Sequence, residues 1–76
     1  MRKEIAEKVA KEFLKGHYPR SSPDVQTIDL TPAPSEYCVS GRIDIGDLQP
    51  RWANFKVFVN TRAEEVIDYE VVRDRS

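Results

Sequence analysis

Cysteine occurs once in this chain, at Cys38, so no disulfide can close within it. Histidine also occurs once, at His17, and one of each is too few for a structural zinc site. Both usual staples of small folds are therefore missing, and 76 residues must be held by packing. A domain of this size buries only about two thirds of its unfolded surface, which makes burial against a partner or a second copy attractive. A surplus of one charge is lacking too: 12 Lys+Arg stand against 13 Asp+Glu, a net −1. That balance argues against a sequence-independent phosphate binder. No apolar run approaches the roughly 20 residues that cross a membrane. The opening Met1-Arg2-Lys3-Glu4-Ile5-Ala6-Glu7-Lys8 has no signal-peptide apolar stretch, so the expected location is the cytoplasm. Neither Gly-x-Gly-x-x-Gly nor the phosphate-cradling Gly-x-x-x-x-Gly-Lys-Ser/Thr occurs, nor a calcium loop, and no metal or cofactor is expected.

What is present is periodicity, which disordered chains lack: 39% of the residues are hydrophobic and they recur in order. Ile5, Ala6, Val9, Ala10, Phe13 and Leu14 fall at the i, i+4, i+8 spacing of one helix face. Glu4–Lys8 and Glu7–Lys11 add charge pairs in the favourable order. The spacing predicts a helix over residues 2–15, ended by Gly16 in a left-handed cap and by Pro19.

Four strands follow, over residues 25–30, 36–45, 52–60 and 66–72, with a tail at 73–76. The intervening turns are marked by Pro32 and Pro34, by Gly46, Asp47 and Pro50, and by residues 60–64. Strands joined this closely pair antiparallel. The expectation is a single two-layer α+β domain spanning residues 1–76, in order α-β-β-β-β, with the helix on a three- or four-stranded antiparallel sheet. Its inward residues are Ile28, Leu30, Tyr37, Val39, Ile43, Phe55, Val57, Val59, Ile67, Tyr69 and Val71.

Chemistry has few candidates. His17 follows the helix end, where histidine ordinarily meets the helix dipole or solvent, and no acid is set to orient it. Cys38 lies on the more polar face of its strand and is expected to be a small packed residue; an enzyme or redox site at His17 and Cys38 is a remote alternative. Asp44, Asp47, Glu64 and Glu65 stand at strand ends or turns, where acids usually bond backbone amides or face water. Ser21-Ser22-Pro23 is a phosphorylation candidate within an ordinary loop.

The face of the sheet away from the helix says more. Trp52 and Phe58 project there with Asn54 and Lys56, next to Arg42, Ser40 and Cys38. In the plain alternative the aromatics cover the sheet locally or tuck under the loop at 31–35. The favoured reading is a non-enzymatic protein contact, with an external partner or a second copy, anchored by Trp52 and Phe58 and rimmed by Arg42 and Lys56. A single-stranded nucleic acid stacked on the aromatics, with Arg42, Arg51 and Lys56 on phosphates, is a third reading that the charge balance disfavours.

At the closing strands the chain reads Phe55-Lys56-Val57-Phe58-Val59-Asn60-Thr61-Arg62-Ala63-Glu64-Glu65-Val66-Ile67. This resembles the closing hairpin of PepSY-type domains, where a strand ending in Val-Asp turns into Gly-Glu-Val. The Tyr18-Pro19 after the helix and the Tyr37-Cys38-Val39 strand fit the same layout. Asn60 stands where those domains carry aspartate, and Glu64 where they carry the turn glycine. The resemblance implies a non-catalytic binding module, one that in that family can modulate a peptidase, and it implies no catalytic residue.

Overall fold

A computed structural model describes residues 2–46 and 48–73 of the chain. Asp47 and residues 74–76, which include most of the expected tail, lie outside the described residues. The helix α1 runs Arg2–His17, followed by the strands β1 Asp24–Leu30, β2 Glu36–Asp44, β3 Trp52–Asn60 and β4 Glu65–Arg73. The strands form one antiparallel sheet in the order β1-β2-β3-β4, with α1 packed on one face. This is the expected α+β fold, in the order α-β-β-β-β.

The helix forms because Ala6, Ala10 and Leu14 recur every fourth residue, and all three are buried. Two alanines in that stripe keep α1 thin where it meets the sheet. Glu7 and Lys11 meet at 3.5 Å on the solvent side, an exposed pair worth a few tenths of a kcal/mol. The expected left-handed cap at Gly16 is not formed: Gly16 is helical, and no glycine has a positive φ. Tyr18 N–H donates to the Leu14 carbonyl at 2.7 Å, continuing the helical pattern until Pro19 ends it.

Facing α1, the sheet buries Val39, Ile43, Ala53, Phe55, Val57 and Val59, with Ile28, Tyr37, Val66 and Val71 around them. All six of these belong to the two central strands, β2 and β3. Leu30, Ile67 and Tyr69, expected inside, are 66%, 51% and 47% exposed. All three lie on the outer strands. Leu30 ends β1 just before the proline-rich loop, and Ile67 falls where the β3–β4 register shifts, so it pairs with no β3 residue. Tyr69 shares the helix side with Val57 but packs at the margin, against Phe13 and His17.

A second register shift sits at Gln26 in β1, opposite Gly41. There the two backbones approach so closely that a Cβ on Gly41 would stand 2.0 Å from the Asp24 carbonyl oxygen. Glycine is required for that approach.

Candidate functional site

The outer face of the sheet is built from the alternate residues that α1 does not cover. Cross-strand partners in an antiparallel sheet share a face, so the register names its occupants. Arg42 lies between Asp24 and Asn54, Ser40 between Thr27 and Lys56, and Cys38 between Asp29 and Phe58. On the far side of β3, Phe58 neighbours Asp68, Lys56 neighbours Glu70 and Asn54 neighbours Val72. Among the described residues no element covers this face.

All four expected site residues are on it, but in two groups. The Arg42 guanidinium lies 5.0 Å from the centroid of the Trp52 ring, a cation–π contact, and Trp52 remains 42% exposed. Phe58, half-buried beside Cys38 and Asp68, lies six residues further along β3, about 20 Å away. Between them Gln26, Ser40, Asn54, Lys56, Glu70 and Val72 line a shallow depression of about 340 Å³. The Thr27 and Ser40 hydroxyls hydrogen-bond beside it. The acids Asp24, Asp29, Asp68 and Glu70 interleave with Arg42 and Lys56. They come from the outer strands, and strand pairing, not spacing along the chain, brings them in.

His17 and Cys38 are not brought together. The His17 ring packs on Phe13 at 4.6 Å, on Tyr69 at 5.6 Å and on Tyr18 at 6.4 Å, on the helix side of the sheet. Cys38 is on the opposite face, with its thiol pushed up by burial, against the opposing pull of Lys56 and with the help of Asp29 and Glu36. Among the described residues no group of three or more His, Cys, Asp or Glu is placed to hold a metal ion.

Asp44 does what turn acids usually do. Asp44 Oδ1 accepts the amides of Gly46 at 2.9 Å and Arg51 at 2.8 Å, and these bonds hold its carboxyl below the usual range. Ser21 Oγ donates to the Asp44 carbonyl, fixing the loop after α1 to the end of β2. Asn60 Oδ1 similarly accepts the amides of Arg62 at 2.9 Å and Ala63 at 3.1 Å. Glu64, which closes that turn, has φ 52°, in the left-handed region that favours glycine.

No protein-family model, curated protein or solved structure matches this chain. Among the described residues no helix is long and apolar enough to cross a membrane.

Proposed function

We propose that this chain is a non-enzymatic interaction module that binds another protein surface with its outer sheet face, and that a second copy of itself is the occupant this face fits. The observation that carries the reading is Trp52, a large exposed aromatic held under the Arg42 guanidinium on a sheet face that no described element covers. Both charge signs alternate across the face, so it carries no single-sign field to repel a second copy. In a face-to-face pairing with strands running oppositely, the Trp52 end of one copy meets the Phe58 end of the other.

The PepSY-like reading draws support from the last turn, where the positive φ of Glu64 falls at the position those domains give to glycine. A cytoplasmic location fits the reading. Nucleic acid is a poor occupant: Asp24 and Glu70 flank Arg42 and Lys56, and about 20 Å separates the two aromatics.

The test is solution mass by light scattering, on wild type and Trp52→Ala, with circular dichroism to confirm folding. A wild-type dimer that Trp52→Ala converts to a folded monomer supports the reading. A wild-type monomer at high micromolar concentration overturns self-pairing, and a dimer indifferent to Trp52→Ala moves the contact off this face.

A further inference from the structure

The phase of the hydrogen-bond ladder decides which backbone groups β4 leaves open. Ile45 N–H donates to the Arg51 carbonyl at 2.8 Å, in register with the β2–β3 pairing, so the odd-numbered residues of β3 bond toward β2. Asn54, Lys56 and Phe58 therefore bond toward β4, to Val72, Glu70 and Asp68. Tyr69, Val71 and Arg73 are left with N–H and C=O groups directed away from the sheet. A second observation agrees: the Tyr69 amide donates to Asp68 Oδ1 at 2.8 Å.

The other outer strand is blunted, since β1 carries the shift at Gln26 and runs into Pro32 and Pro34. β4 contains no proline. Beyond the shift at Ile67 it pairs regularly from Asp68 to Arg73, about 20 Å of ladder.

We propose that this edge docks an extended segment of a protein partner in which lysine or arginine alternates with apolar residues, adding a fifth strand to the sheet. The alternation follows from the side chains that flank the gap. On the outer side they are Asp68 and Glu70, then Val72, which is 51% exposed. Lys56 flanks Glu70 from β3, and the far side of Glu70 faces the gap. On the helix side they are Tyr69 and Val71, then Arg73 at the end of the strand, and Tyr69 is continued by the Phe13 ring 4.8 Å from its own. A segment with cations at every second position meets both carboxylates while its intervening apolar residues lie against Tyr69 and Val71. A cation that engages Asp68 also frees the Tyr69 amide for the new ladder.

A second copy is a poor occupant of this edge. A two-fold β4–β4 ladder must pair the outward residues with each other. Centred on Tyr69 it sets Asp68 against Glu70 twice, and centred on Glu70 it sets that residue against itself. These are the close, non-hydrogen-bonded positions, where like charges are destabilising. Centring on Val71 avoids the clash but shortens the ladder.

The inference goes beyond the face-to-face reading and is tested separately. The probe is a short capped peptide alternating lysine and valine, compared with its glutamate–valine counterpart by amide NMR at millimolar concentration. The lysine peptide is expected to shift the Tyr69, Val71 and Arg73 amides, slow their exchange, and bind roughly tenfold tighter than the glutamate peptide. The exposed double variant Asp68→Lys/Glu70→Lys should reverse that preference. Equal response to both peptides, shifts centred on the Trp52 indole, or no response to either overturns the proposal. So does protection of the Val71 and Arg73 amides without peptide, which would show a second copy on the edge.

Discussion

The Ser35 carbonyl oxygen accepts two hydrogen bonds from Thr61, from its amide at 2.9 Å and from its hydroxyl at 3.1 Å. They join the β1–β2 loop to the β3–β4 turn, across the strands between. Ser35 bends toward Thr61 with φ 60°, and Thr61 is buried. Thr61→Val keeps the shape and the amide bond but removes the hydroxyl. The expected loss is about 1 kcal/mol, read as a lower urea midpoint at unchanged slope.

Glu64 carries the other left-handed backbone. A non-glycine residue there is strained by about 1–2 kcal/mol, part of which glycine returns as unfolded-chain entropy. Glu64→Gly is therefore expected to stabilise the fold by about 0.5–1 kcal/mol, seen as a melting point several degrees higher.

Two glycines predict opposite signs for the same change. Gly16 is helical, and a Cβ there meets nothing within 4 Å, so Gly16→Ala should stabilise by about 0.5–1 kcal/mol. At Gly41 the added Cβ would collide with the β1 backbone at 2.0 Å. Backbone cannot yield as a side chain does, so Gly41→Ala should cost about 3 kcal/mol or more. Parallel denaturant curves of the two variants check both signs.

Asp44 makes the loop that follows β2 sensitive to acid. Its carboxyl titrates lower when folded than when unfolded, because the Arg51 and Gly46 amides bond its ionised form. Its contribution is present above the usual carboxylate pKa and is lost as pH falls through the lowered value. An NMR titration should give Asp44 a midpoint below that of an unstructured aspartate. Asp44→Asn, whose amide oxygen can accept the same two bonds, should remove that part of the acid sensitivity while remaining folded at neutral pH.

Cys38 should alkylate more slowly than a free thiol near neutral pH, since burial raises its pKa and leaves less thiolate. Iodoacetamide labelling followed by mass measures this, and labelling faster than the free thiol would return attention to a reactive role.

Much of this architecture could be read from periodicity. The i, i+4, i+8 recurrence of Ala6, Ala10 and Leu14 and the alternation of Phe55, Val57 and Val59 announced the helix, the sheet and their common face. Alternation names the face of a residue but not whether its strand is central or outer. Leu30, Ile67 and Tyr69 were therefore expected inside and are exposed. Single-residue shifts at Gln26 and Ile67 leave no mark in composition, and the latter turns Ile67 out of step. Gly16 misled because a glycine near a helix end usually caps it, whereas here the helix continues until Pro19. Trp52, Phe58, Arg42 and Lys56 were legible as one face; the carboxylates that interleave them were not, since cross-strand pairing assembles them.

The strand order β1-β2-β3-β4 repeats the order of the chain, so each hairpin can close over a short loop at small entropic cost. The helix is different, because its stripe must find Phe55, Val57 and Val59, far downstream. During synthesis α1 leaves the ribosome ahead of all four strands, and its apolar side is fully covered only once β3 has followed. The growing chain is thus most exposed to chaperones and to wrong contacts in the interval between Leu14 and Val59, before its two layers close.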